Sequence, residues 1–194
     1  MFAPILAAAL TAGAPQSIAV IPLHAGVNNV PGFTADGRAA TIVQGWRENG
    51  NAHGYNTFQI LVAERSGAAQ RVVDVDGPQH PVDLIRDEPF DGERQIGVVR
   101  LARAILDGHR QTVLITADLN PAPSGVLADH ATATIKVFRL VRDETVGSTW
   151  DRFALAWSTT TTAHYCNVQL ALRDTLGLPL ARDFDAANKV DGCP

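Results

Sequence analysis

The feature that most constrains this chain is a set of short runs in which apolar and polar residues alternate, each closed by a tight-turn signal. Ala131 to Val141 (ATATIKVFRLV) alternates along its length. A period of two places every second side chain on one face, the pattern of a strand with one buried side. Thr112 to Thr116 (TVLIT) is rich in β-branched residues and follows Asp107-Gly108, a dipeptide suited to a two-residue hairpin. Ile96 to Leu106 fits either a helix ending at Gly108 or a strand turning at Asp107-Gly108, and the β-branched run after it favours the hairpin. Turns this short join antiparallel strands, because parallel neighbours need a crossover of about a dozen residues or more.

The rest of the chain fits that pattern. Ser17 to Val30 reads as one strand and its exit, punctuated by Pro31-Gly32. Thr34 to Arg38 is a turn around Asp36-Gly37. Ala39 to Val43 and Thr57 to Ala63 form a strand pair, and Arg71 to Val75 is a further short strand. Asp76 to Glu93 carries three prolines and repeated acids, which reads as a solvated loop with one turn of helix around Val82 to Ile85. Arg152 to Ala163 is another strand, its Thr159 to Thr162 run typical of a half-exposed one. Tyr165 to Leu176 is the one convincing helix: Val168, Leu170, Ala171 and Leu172 give it an apolar side, Asn167 can cap it and Gly177 can stop it. About eight strands and one helix predict a mainly β fold, an antiparallel sandwich or half-barrel with one late helix.

Composition narrows the partners. A chain of 194 residues with 46% hydrophobic and 19% charged residues builds an ordinary globular core and needs no metal to fold. Lys plus Arg is 16 against 20 Asp plus Glu, and no basic run exceeds an isolated pair, which argues against a nucleic-acid partner. Met1 to Leu10 is apolar and Ala-rich, and Ala12-Gly13-Ala14 has the form of a cleavage site, although no Lys or Arg precedes Arg38. The division expected is a signal peptide over 1–14, a single β-rich domain over 15–194, and a periplasmic or secreted product. Pro4 and Pro15 interrupt the apolar stretch, so no membrane span is expected. In an exported protein Cys166 and Cys193 would form a disulfide, worth roughly 3–4 kcal/mol in the chain-entropy model; in a cytosolic one both would be inert thiols.

Several chemistries lack their residues. There is no G-x-S-x-G nucleophile elbow, no S-x-x-K and no H-E-x-x-H, and the six histidines are scattered. No glycine-rich loop opens a helix after a strand. Asp74-x-Asp76-Gly77 imitates the start of a calcium loop, but the later ligand positions fail. No enzyme activity and no cofactor are therefore expected. The densest polar stretch is WRENGNAHGY, between two of the strands, with Trp46, Arg47, Glu48, Asn49, Asn51, His53 and Tyr55. The plain reading is an irregular turn whose side chains bond the backbone. The sharper one is a binding surface for a small acidic ligand or a protein partner, using aromatic area, a guanidinium fork and neutral donors and acceptors. Glu48 and His53 would form an acid–base pair only if they faced one cleft.

RENGNAHGY resembles the R-E-N-F-N-A-H-x-F motif of the bacterial carbapenem self-resistance (intrinsic resistance) family. The upstream GVNNVPGFTADGRAATIVQGW, the strand ATATIKVFRL and the segment Tyr165-Cys166-Asn167-Val168 are similar to that family's counterparts. Gly50 stands where the family usually has Phe, and the Asp-rich turn is reduced to Ala35-Asp36-Gly37. The resemblance implies an exported, mainly β homodimer that protects against a β-lactam-like ligand without hydrolysing it. It carries over Arg47, Glu48, Asn49, Asn51 and His53 as signature positions. A periplasmic structural or protein-interaction domain is the alternative.

Overall fold

The computed structural model describes residues 13–48, 50, 54–64, 67, 69–77, 80–87, 90–91, 94–95, 97–125, 130–144 and 149–180. Among these, thirteen strands precede one helix. The first seven are β1 (Gln16–Val20), β2 (Gly26–Val30), β3 (Ala40–Arg47), β4 (Tyr55–Ala63), β5 (Gln70–Val72), β6 (Asp74–Val75) and β7 (Ile85–Asp87). The minimal pair β8 (Phe90–Asp91) and β9 (Arg94–Gln95) comes next. Four long strands follow: β10 (Gly97–Leu106), β11 (His109–Leu119), β12 (Ala133–Asp143) and β13 (Trp150–Thr160), and then α1 (Val168–Leu176).

The strands form two main sheets. The large sheet has the order β1-β10-β11-β12-β13-β6, antiparallel except for the short β13–β6 pair. The small sheet has the order β2-β3-β4-β5, with β7 also on β4. Neither closes into a barrel, so the fold is a mainly β, predominantly antiparallel sandwich with a late helix.

Alternation explains the layers. On β11, Val113, Ile115 and Ala117 pack with Val168 and Leu172 of α1, while Leu114 packs with Ile42, Ile60 and Phe58 of the small sheet. The large sheet is thus apolar on both faces, one under the helix and one against its partner sheet. Phe33 and Phe153 meet edge to face in the inter-sheet core, centroids 6.2 Å apart. Each is at most 1% exposed, a burial worth roughly 1.5–3 kcal/mol per side chain.

Local signals explain the hairpin and the helix. Asp107 and Gly108 both take positive φ, 52° and 79°, between the paired residues Leu106 and His109. That is the primed turn whose twist suits a two-residue hairpin, so Ile96 to Leu106 resolves as the strand over its described residues. Asn167 caps α1 by accepting from the Gln169 N–H at 2.9 Å, and Gly177 ends it at φ 67°. Tyr165 lies outside the helix and bridges Ala131.

Three expectations need correction. Ser17 to Val30 is two strands: β1 joins the large sheet and β2 the small one. Arg71 to Val75 is likewise split, β5 in the small sheet and β6 in the large one. Sandwich strands that bend can change layers, and Val73, 2% exposed and bonded from its N–H to the Ile60 carbonyl at 2.8 Å, marks the second crossing. These splits, with the minimal strands, raise the count above eight. The third correction concerns Val82 to Ile85, which form no helical turn: Val82 bridges Val75, and Ile85 begins β7. Ladder pairing to β4 there outweighs any local helical preference.

Candidate functional site

The polar block is the tip of the β3–β4 hairpin. Arg47 pairs with Tyr55 and Trp46 with Asn56 in the ladder. Cross-strand partners share a face, so the Arg47 guanidinium lies over the Tyr55 ring, 5.8 Å from its centroid. Arg86 of β7 lies 5.7 Å from the same centroid. With the two guanidinium groups beside its ring, Tyr55 is only 7% exposed. Trp46 keeps the exposed ring, 54% accessible, and its Nε1 donates to Glu48 Oε1 at 2.8 Å. The indole lies so close to Gly54 that a Cβ there would overlap it. The structure therefore brings together Trp46 with Glu48 and Arg47 with Tyr55. Asn49, Asn51 and His53 lie outside the described residues.

A second arrangement sits where β7 meets the large sheet. Ile85 and Arg86 of β7, Gly97, Val98 and Val99 of β10, and Thr116 and Asp118 of β11 line a cavity of about 370 Å³. That volume suits a small ligand, and the walls combine aliphatic side chains with a few polar groups. Asp87 shares the inward face of β7 with Ile85 and is 8% exposed. The Val99 N–H donates to it, but its Oδ1 has no hydrogen-bond partner. Burial pushes the Asp87 carboxyl up to about 6, opposed by Arg100 and the Val99 N–H and reinforced by Asp118. Asp118 is exposed on β11; the partial desolvation of its carboxyl raises it, and Lys136 opposes that shift. Arg100, whose charge acts on Asp87, also donates to the Val99 carbonyl at 2.9 Å and to Gln169 Oε1 of α1 at 3.2 Å.

A second cavity, of about 230 Å³, is lined by Arg38, Val62, Glu64, Arg71, Arg142, Thr149 and Asp151. Its charges are largely matched. Arg38 forks onto Asp151 at 2.8 and 2.9 Å and also bonds Asp36 and the Ala63 carbonyl. Arg71 pairs with Glu64. The Arg38–Asp151 fork ties the loop before β3 to β13 and so joins the sheets.

No family model matches the chain, and no curated protein matches it. A solved structure described as the crystal structure of CarG matches with a TM-score of 0.62, covering 87% of this chain and 97% of that one at 16% identity. At that identity the likeness is one of fold.

Asp87, Asp118 and Thr116 were not candidates in the sequence. Asp87 lies within the acidic, Pro-rich stretch read as solvated, and its burial corrects that reading at this position. Thr116 ends the β-branched run read as a strand, and Asp118 lies beyond that run. No local signal pairs β7 with β10. Among the described residues, no three His, Cys, Asp or Glu side chains gather as a metal site would require, and no helix is long and apolar enough to cross a membrane. Cys166 is 8% exposed; its expected partner Cys193 lies outside the described residues.

Proposed function

We propose that this chain is an exported, non-enzymatic protection protein of the carbapenem self-resistance type, which binds a β-lactam-like molecule without hydrolysing it. The observation that carries this reading is the shared fold with CarG over 87% of the chain, on a sequence whose hairpin tip has the RENGNAHGY resemblance. Trp46 supplies an exposed ring at that tip, and Arg47 supplies a cation over the Tyr55 ring. The test is expression, exported, in a carbapenem-sensitive host. Protection that rises with protein level and saturates, with drug recovered intact, is the expected result. Unchanged susceptibility together with an unchanged melting temperature in the presence of drug would sink the proposal.

A second reading, a protein-interaction domain, rests on Val27 and Val43. They are cross-strand partners in the small sheet, 65% and 39% exposed, whereas α1 packs on the large sheet. The homodimer implied by the resemblance would cover this patch. Sedimentation of the wild type and of Val43→Lys tests it: a dimer that dissociates in the variant supports the reading, and a wild-type monomer rejects it.

A further inference from the structure

We propose that the large sheet carries a binding cleft for a short, neutral oligosaccharide. Its floor is the hydroxyl-lined face of β11 to β13 beyond the edge of the small sheet, and its roof is the Trp46 indole. The inference shares Trp46 with the hairpin tip and does not rest on the carbapenem reading.

The floor follows from the ladder registers. Thr116, Lys136 and Ser158 form one rung across β11, β12 and β13, and Asp118, Thr134 and Thr160 form the next. Val99 and Gly97 of β10 extend the two rungs. Cross-strand partners share a face, and this is the face of Leu114 and Phe138, which the small sheet buries. Two residues from Leu114 and Phe138 the cover ends: Thr116, Thr134 and Lys136 are half-buried, and Asp118, Ser158 and Thr160 are exposed. Asn120 borders the array, donating to Thr132 Oγ1 at 2.8 Å and accepting from Thr134 Oγ1 at 2.9 Å. The side chains of Thr116, Asp118, Lys136 and Ser158 make no hydrogen bond to another described residue, so their donors and acceptors stay available to a ligand.

The roof follows from a second register. Trp46, Asn56 and Asp87 form one rung across β3, β4 and β7. Trp46 lies on the same face of β3 as Ile42 of the inter-sheet core, so its ring is on the side turned toward the large sheet. Asp87 accepts from the Val99 N–H, which sets this rung level with the Val99 rung of the floor. The indole is nevertheless 54% exposed, as a ring above an open cleft would be. At the β10 end the cleft deepens into the cavity of about 370 Å³, where Val99, Thr116 and Asp118 meet Ile85.

The mixture of groups selects the ligand. An aromatic ring offers stacking area to the C–H face of a sugar, and the floor offers hydrogen-bond partners to its hydroxyls. Charge does not select. Lys136 on the floor and Arg86 at the cavity wall stand against Asp118 and the buried Asp87, while Arg100 is bonded to Gln169 of the helix. A charged ligand would be attracted by one group and repelled by its neighbour, whereas a hydroxyl donates and accepts and can use both. The two rungs cross four strands, roughly 15 Å at about 4.8 Å per strand, which suits a short chain of rings rather than a single one.

The test is titration of the full, isotope-labelled chain with cellotriose, followed by amide and indole N–H chemical shifts. Trigalacturonate and triethylene glycol serve as a charged and a hydroxyl-poor control. The expected result is saturable movement of the Trp46 indole and of the Thr116, Lys136 and Ser158 amides with cellotriose, insensitive to salt. Trp46→Ala should weaken the interaction by about tenfold, the upper scale of one aromatic contact. Ser158→Ala should weaken it by about threefold, the scale of one neutral hydrogen bond. Both residues are exposed, and the spectra report the folding of each variant directly. Absent or unsaturable movement, equal movement with triethylene glycol, or tighter binding of trigalacturonate would overturn the proposal. Saturable binding that both variants leave at wild-type strength would overturn it as well, since the sugar would then sit elsewhere.

Discussion

Asp151 and Asp87 are almost equally buried, 7% and 8% exposed, and each sits where the two sheets approach one another. Their surroundings differ completely. Asp151 receives both ends of the Arg38 fork, with Arg142 a further 3.6 Å contact. Asp87 accepts one backbone N–H and leaves Oδ1 without a partner, with a 370 Å³ cavity beside it. The first is a fastener, since a buried charge with a bidentate partner holds its elements in one arrangement. The second is a place where the fold tolerates a charge that it does not match. Burial alone does not separate the two roles; the partner does.

The largest test of this contrast is Arg38→Ala. It removes the bidentate partner of a buried carboxylate and leaves Asp151 only the longer Arg142 contact, so unfolding free energy should fall by about 3 kcal/mol, the lower end for a broken buried pair, in chemical denaturation. A loss below about 1 kcal/mol would mean that the fork is incidental.

Asp87→Asn should act in the opposite direction. The carboxyl loses its proton near 3.8 in the unfolded chain and near 6 in the folded one. Between those values the native state binds more protons, so stability falls as pH rises, and the full cost is present above about pH 6. That difference corresponds to about 3 kcal/mol at most, so the asparagine variant should be more stable by up to that amount at pH 7 and nearly equal to wild type at pH 4. Asparagine keeps an oxygen for the Val99 N–H. Denaturation curves at the two pH values check the prediction, and a variant less stable than wild type at pH 7 would remove Asp87 from the unmatched class.

Asp118→Asn should change stability far less, because Asp118 is exposed to solvent and has Lys136 nearby. The same curves measure it, and a gain exceeding that of Asp87→Asn would reverse the order of the two acids. The smallest effect belongs to the hairpin tip. Trp46 is 54% exposed, so Trp46→Ala should change stability by no more than about 0.5 kcal/mol. A larger loss would make the tip part of the scaffold.

Much of the fold was legible in the chain. The Asp107-Gly108 turn and the strands on either side of it rest on local rules and appear where their residues placed them, and the helix expected from Tyr165 begins at Val168, behind its Asn167 cap. The layer crossings at 21–25 and at Val73 were hidden. Alternation reports which side of a strand is apolar and does not report which sheet the strand will join. The candidate site was legible only in part. Trp46, Arg47, Glu48 and Tyr55 stood out because polar and aromatic residues crowd one turn, and they meet at the hairpin tip. Their ring areas still diverged, since Arg86, thirty-one positions after Tyr55, takes up one ring while the other remains exposed.

By itself, then, the order of residues determined the period of the strands, the primed hairpin, the helix caps and the concentration of polar groups before Tyr55. These depend on neighbours a few positions apart, whose geometry the backbone settles locally. Only the tertiary structure decided which strands share a sheet, that Arg38 and Asp151 close on one another, and that Asp87 is buried against Val99 of the large sheet. Desolvation and charge pairing act between surfaces that meet only after the layers have packed, so an aspartate in an acidic, proline-rich stretch carries no local mark of the partner it will gain or lack.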